Sequence, residues 1–163
     1  MTAVLEILEA REQDVDHIMT FIQELADYER EPDAVIATHD DLHRALFNEN
    51  PNVFAVVCWE GGSPIGFALY FFNFSTWLGR NGLYLEDLYV TPSHRGKGAG
   101  KQLLSHLANI AVKKGCGRFE WSVLDWNQPA IEFYESFGAK PQSEWTTYRL
   151  TGKALEDLAA IAC

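Results

Sequence analysis

The sequence predicts an α/β protein, with one mixed β-sheet and helices on both of its faces. Three observations carry that expectation. Stretches with apolar residues at helical spacing alternate with short stretches rich in β-branched and aromatic residues. Between Val53 and Phe74, two strand-like stretches are joined by Gly61-Gly62-Ser63-Pro64, which marks a hairpin and therefore antiparallel neighbours. From Leu83 to Leu124 a strand, a glycine loop, a helix and another strand follow one another, the pattern of a right-handed parallel crossover.

Taken in order, Ala3 to Glu9 alternates apolar and charged residues and reads as a first strand. From about Asp14 to Glu29, Val15, Ile18, Met19, Ile22, Leu25 and Ala26 form a helical stripe, and Pro32 ends it. Thr38 with Asp41 resembles a capping box that opens a short helix to about Asn48. His17 falls off the apolar stripe and reads as a solvated residue. His39 and His43 lie four apart, but no H-E-x-x-H and no third ligand accompanies them, so no metal site is expected. Val53 to Glu60 and Ile65 to Phe74 are the hairpin strands, and Ser75 to Gly82 is a loop carrying Trp77.

Leu83 to Val90 is apolar and aromatic except for Glu86 and Asp87, which reads as a central strand buried on both faces. A helix with Leu103, Leu104, Leu107, Ala108 and Ala111 on one side follows and is closed by Gly115. Arg118 to Leu124 is another strand. Pro129 to Phe137 is a helix with proline in its first turn and Gly138 just past its end. Ser143 to Leu150 reads as a last strand and Thr151 to Ala162 as a terminal helix. There is no repeat or linker, and 163 residues fit one domain over 1–163.

Composition narrows the function classes. No apolar run reaches the ~18 residues of a membrane span. The opening MTAVLEILEARE lacks the basic start and apolar core of a signal peptide. Cys58, Cys116 and Cys163 are odd in number and far apart, which argues for a reducing, cytoplasmic setting rather than a disulfide framework. A net charge of −10 disfavours nucleic acid and suits a cationic substrate, although many soluble proteins are simply acidic.

Two segments carry chemistry. Arg95-Gly96-Lys97-Gly98-Ala99-Gly100-Lys101 sits between the central strand and a helix. Glycines let backbone N–H groups approach a phosphate, and a helix start adds unpaired donors and partial positive charge. The loop is one residue short of a Walker A motif, and Gln102 stands where that motif needs a hydroxyl. Its G-x-G-x-G spacing also departs from the dinucleotide fingerprint. The second segment is Glu86-Asp87. A charged pair inside an apolar strand costs free energy unless it is partnered, which marks both as functional candidates. In a regular strand they point to opposite faces.

Arg-Gly-x-Gly-x-Gly after a strand, with the later Asn127-Gln128-Pro129-Ala130 and Phe133-Tyr134, closely resembles the GNAT acyl-CoA N-acyltransferases over nearly the whole chain. The resemblance implies the GNAT fold, with splayed central strands that hold acetyl-CoA, and no metal. It implies that Gly96 to Gly100 take the pyrophosphate, with Arg95 beginning the loop and Lys97 and Lys101 near the outer phosphate. The backbone of Leu88, Tyr89 and Val90 pairs with the pantetheine arm, and Asn127, Gln128, Pro129 and Ala130 line its far side. Tyr134 is then the general acid at the leaving sulfur. Glu86 is the base, or else it and Asp87 only anchor a cation, and a bulge in the strand is expected there. Direct transfer is favoured over a Cys58 or Cys116 acyl-enzyme, since neither sits in a basic microenvironment.

Within the family, Leu25-Ala26-Asp27-Tyr28-Glu29, Trp77-Leu78-Gly79 and Leu83-Tyr84-Leu85-Glu86-Asp87-Leu88 resemble the spermidine/spermine (diamine) and thialysine acetyltransferases. That implies Tyr28, Glu29, Glu86 and Asp87 against the substrate, and a homodimer. Carboxylates with aromatic faces at Tyr28, Trp77 and Trp121 suit a small cationic amine, a polyamine, diamine or lysine-like amino acid. The hairpin at Gly61 is shorter than in the animal polyamine enzymes, and Arg30 adds positive charge beside Glu29. A protein or peptide N-acetyltransferase and a non-catalytic acyl-CoA sensor are the alternatives.

Overall fold

The computed structural model describes residues 4–162, so Ala3, at the start of the expected first strand, lies outside the described residues. The described chain packs as two compact units that meet in sequence at Leu124 and Asp125.

The first unit is a five-stranded sheet in sequential order. Its strands are β1 (Leu5–Glu9), β2 (Phe54–Glu60), β3 (Ser63–Ser75), β4 (Arg80–Val90) and β5 (Phe119–Trp121). β1 to β4 pair antiparallel, and β4 and β5 pair parallel. The β2–β3 turn is made by Gly61 and Gly62, with φ of 58° and 80°. Two successive positive φ angles are the two-residue turn whose twist matches the strands it joins. Pro64 and the extra residue Ile65 fall at an irregularity in the ladder, where a missing N–H is tolerated.

Helices cover both faces. α1 (Val15–Tyr28) and α2 (His39–Leu46) pack on one. There Ile18, Phe21 and Leu46 form the core with Ala55, Val57, Phe67, Leu69 and Tyr89. Phe21 stacks on Phe67 with centroids 5.8 Å apart. The α2 capping box forms as the sequence predicts, with Asp41 N donating to Thr38 Oγ1 and Thr38 N to Asp41 Oδ2. His39 lies 3.6 Å from Asp16 of α1, and His43 lies 3.8 Å from Glu12, just before that helix. Among the described residues no cluster of three or more such groups is placed to hold a metal ion. The opposite face is covered by α3 (Ala99–Lys113), which lies against β4, β3 and β1. Its Leu103, Leu104, Leu107 and Ala111 are buried, the stripe seen in the sequence. Among the described residues no helix is long and apolar enough to cross a membrane.

The second unit holds α4 (Gln128–Glu135) and α5 (Gly152–Ile161). The expected strand at Ser143 to Leu150 is not one. That segment is exposed throughout and has no ladder partner among the described residues. Its Trp, Thr and Tyr content favours an extended chain, but a strand exists through its neighbour, not through propensity alone.

Gly66 is fixed by packing: a Cβ there would meet the Tyr89 carbonyl oxygen at 2.5 Å. Gly66→Ala should therefore lower unfolding stability by about 1–3 kcal/mol in a denaturant titration, as overpacking against backbone does. An unchanged midpoint would contradict this packing of β3 on β4.

Candidate active site

The site is built on β4. Its first half is clamped on both sides, by β3 and by β5 from Leu83↔Phe119 to Leu85↔Trp121. A hydrogen bond of 2.8 Å between Tyr84 Oη and Ser122 Oγ closes that parallel stretch. Beyond Leu85 the ladder to β5 stops while the ladder to β3 continues to Val90. This is the splay expected between the central strands.

The register defines what the open edge offers. Val90 faces Gly66, and Thr91 N donates to Ile65 O at 2.8 Å. In an antiparallel ladder this makes Val90 and, two residues back, Leu88 non-hydrogen-bonded pairs, whose N–H and C=O groups turn away from β3. Of the three residues expected to pair with a pantetheine arm, Leu88 and Val90 thus present their backbone to the open edge. Tyr89 instead faces Phe67 in the ladder and buries its ring in the core.

The carboxylates sit where the ladder breaks. Leu69 pairs with Asp87 and Tyr70 with Leu85, so Glu86 is an extra residue, a β-bulge. The bulge keeps Asp87 on the α1 face, with Leu69 and Tyr89, and sends Leu85 to the opposite face with Tyr70. Glu86 is exposed and Asp87 half-buried. Burial pushes the Asp87 carboxyl up to about 6, and the charges of Glu86 and of Glu29 push in the same direction. Glu29 follows the last turn of α1, and burial raises its carboxyl as well. Three carboxylates from two elements thus repel one another around one spot, which a cation would relieve.

At the far end of β4 the glycine loop meets α3. Gly96 and Gly98 have φ of 79° and 87°, and Gly98 is the α3 N-cap. Being glycine, it offers no side-chain cap to the N–H groups of the first α3 turn, and nothing lies within 4 Å of where either loop glycine's Cβ would stand. This is a cradle open to an anion, and it fits the diphosphate of an acyl-CoA. Lys97 reaches Glu60 at 3.8 Å, and His94 reaches the same carboxylate at 3.4 Å. Lys101 is exposed.

The sequence profile of the acetyltransferase (GNAT) family matches residues 15–139. The chain belongs to the GNAT acetyltransferases. It is an enzyme class that uses acetyl-CoA as acyl donor. The chain is 39% identical to a thialysine N-epsilon-acetyltransferase of Sus scrofa, with 98% of this chain and 99% of that one covered. It is 35% identical to spermidine/spermine N(1)-acetyltransferase-like protein 1 of Homo sapiens, over 94% of this chain but 24% of that protein. Among solved structures, an integron cassette protein from the mobile metagenome of V. cholerae superposes with a TM-score of 0.78 at 34% identity, covering 95% and 97% of the two chains.

Placement separates the other expected residues of this acetyltransferase. Trp121 pairs with Leu85, one residue before the bulge, and is half-buried. Trp77 lies in the β3–β4 turn and is 80% exposed. Six residues of strand separate Arg80 from Glu86, about 20 Å at the usual rise, so the turn and the carboxylates are not brought together. In the second unit, Asn127 Oδ1 accepts from Ala130 N at 3.4 Å and caps α4, with Pro129 in the first turn. Tyr134 is half-buried on α4, its ring 5.6 Å from that of Phe133. Cys58 is buried, and burial with the nearby Glu60 charge pushes its thiol up to about 11, which leaves it protonated and a poor nucleophile. A shallow cavity lined by Ile7, Gln102, Ser105, His106 and Asn109 lies between β1 and α3, on the sheet face opposite Asp87, and brings no carboxylates together. The side-chain role of Arg95 was not visible in the sequence: its guanidinium lies over the rings of Tyr28 and Tyr89, at 5.3 and 5.5 Å.

The Asp87 carboxyl gives a signed stability prediction. Its folded value lies above the unfolded one, so the folded chain holds the extra proton between about pH 4 and pH 6. Stability therefore falls as pH rises through that window. Asp87→Asn should stabilise the ligand-free protein by about 1–3 kcal/mol at pH 7–8, with the gain fading towards pH 4. Denaturant unfolding across pH measures it, and a variant no more stable at pH 8 than at pH 4, relative to the parent, contradicts it.

Proposed function

We propose that this enzyme transfers the acetyl group of acetyl-CoA to a primary amine of a small cationic substrate, a lysine-like amino acid or a di- or polyamine. The observation that carries this reading is the convergence of Glu29, Glu86 and Asp87 at the bulge, beside the open edge of β4. Acetyl-CoA supplies the activated thioester; the remaining work falls to side chains. Asp87 and Glu29 hold the ammonium group of the substrate. A primary ammonium loses its proton near pH ~10.4, so at neutral pH a base must take that proton before the nitrogen attacks. Glu86, the exposed member of the group, is assigned that proton, and Asp87 is assigned mainly to binding. When the nitrogen bonds to the carbonyl carbon and the carbon–sulfur bond breaks, the thiolate takes a proton from Tyr134; the nitrogen sheds its second proton, which returns to Tyr134 through water, and Glu86 releases the first to solvent. The Tyr134 assignment rests on the Asn-Gln-Pro-Ala-Ile-Glu-Phe-Tyr motif of residues 127–134. The transfer is direct, since the buried, protonated Cys58 thiol is unsuited to carry an acyl group.

The relatives favour the lysine-like end of the substrate range, with a thialysine acetyltransferase matched along its full length. Arg30, directly after Glu29, suits a substrate that carries a carboxylate of its own beyond the amine.

Thiol release from acetyl-CoA over a panel of thialysine, lysine, spermidine, putrescine and propylamine tests the reading. The expected result is turnover of the amines with a second charged group and little of propylamine. Tyr134→Phe should lower kcat by ~10²–10⁴-fold while acetyl-CoA affinity stays within a few-fold. Acetyl-CoA binding without turnover of any amine would overturn the proposal, and a fully active Phe variant would remove Tyr134 from it.

A further inference from the structure

The cofactor loop, which starts at Arg95, and Glu29 of the carboxylate site are 66 residues apart in sequence, and the Arg95 side chain reaches from one towards the other. Arg95 starts the glycine loop. Its Nε donates to the Val90 carbonyl at 2.8 Å, on the open edge of β4. A carbonyl oxygen has two lone pairs, so this bond leaves Val90 able to accept a second donor. The same guanidinium lies 5.3 Å over the ring of Tyr28 and 5.5 Å over that of Tyr89. Tyr28 is the last residue of α1, and the next residue is Glu29. Burial raises the Tyr89 hydroxyl, and Glu24, one turn earlier on α1, is close enough that its charge raises it further, while the Arg95 charge acts the other way. Glu24 Oε2 is buried without a hydrogen-bond partner. Glu24 and Arg95 thus act on the same tyrosine ring, and a carboxylate there favours the guanidinium where it lies.

We propose that Arg95 is a positioning residue: it ties the diphosphate loop and the open edge of β4 to the last turn of α1, so that filling the loop orders Tyr28 and Glu29 for the amine. The inference rests on the transferase reading for its functional meaning. Its physical content is a coupling between two sites, reciprocal in free energy. Arginine is needed for the geometry, because one planar group must donate to a carbonyl and lie over aromatic faces together; lysine offers a point charge without the plane. Arg95 thereby serves the amine side through its side chain, although it sits in the cofactor loop.

Hydrogen exchange with coenzyme A as the probe tests the coupling without any amine. Saturating coenzyme A should slow exchange at the amides of residues 27–31 in the parent protein. Arg95→Gln should bind coenzyme A within about threefold of the parent yet lose that protection. In steady state it should raise the amine KM about tenfold, in the usual range of coupling between sites, with a smaller change in kcat. Arg95→Lys should restore only part of both effects. Tyr28→Leu, at an exposed position, should reproduce them, and the double variant should be no worse than either single one. Three outcomes overturn the proposal: no protection of residues 27–31 in the parent, loss of coenzyme A affinity in Arg95→Gln with the amine KM unchanged, or additive effects of the two substitutions. If protection behaves as stated and no amine is turned over, the coupling stands and the transferase reading fails.

Discussion

A carboxyl held in an apolar strand is the constraint on which the rest of this site depends. Asp87 lies on the face of β4 that packs against α1, beside Leu69 and Tyr89, and its ionised form is penalised by burial and by two further carboxylates. Such an arrangement lowers the stability of the free protein and would be relieved by a cation. The fold tolerates it because the surrounding frame is over-determined. β4 is paired on its β3 side along most of its length, β3 is paired in turn with β2, and Phe21, Phe67 and Tyr89 lock α1 onto the sheet. A strained spot within a rigid frame is the usual economy of a binding site.

On the proposed reading the same strand also serves the acyl donor. One ladder break, after Leu85 on the β5 side, opens the backbone edge of Leu88 and Val90. Another, the bulge at Glu86 on the β3 side, sets which face each carboxylate takes. The two breaks fall within one residue of each other. On the proposed reading, the edge for the thioester arm and the anchors for the amine are therefore adjacent along one strand, with no loop whose motion has to bring them together. The glycine loop then follows β4 after a single short turn, at Pro92 to His94, so the phosphate cradle is fixed relative to that edge.

Much of this was legible in the chain. The strand–glycine loop–helix order and the Glu86-Asp87 pair are local signals, written in consecutive residues, and each formed where the sequence put it. The α1 stripe, the Thr38 capping box and the Gly61-Gly62 turn are local in the same sense. The bulge was available only through the family resemblance, because an extra residue in a ladder is a property of two strands and leaves no mark on one. The gathering of Glu29 with Asp87 is also non-local and came from resemblance. The place of the Arg95 side chain came from neither, since it depends on Tyr28, 67 positions earlier. The failed strand at Ser143 to Leu150 teaches the converse: a good local pattern yields no strand without a partner ladder. Trp77 teaches it for a side chain, as its motif matches the family but its position in the β3–β4 turn is remote from the bulge.

The central claim is that the bulge carboxylates read positive charge on the substrate. The measurement that tests it most directly is kcat/KM for a diamine relative to a monoamine of equal length, in the parent and in Asp87→Asn. A second ammonium near a carboxylate in a half-buried cleft gains about 1–4 kcal/mol at ~4 Å, and the apolar end of the monoamine gains none of it. The account predicts that the diamine's advantage falls about tenfold or more in Asp87→Asn. Equal losses for the two amines would contradict it.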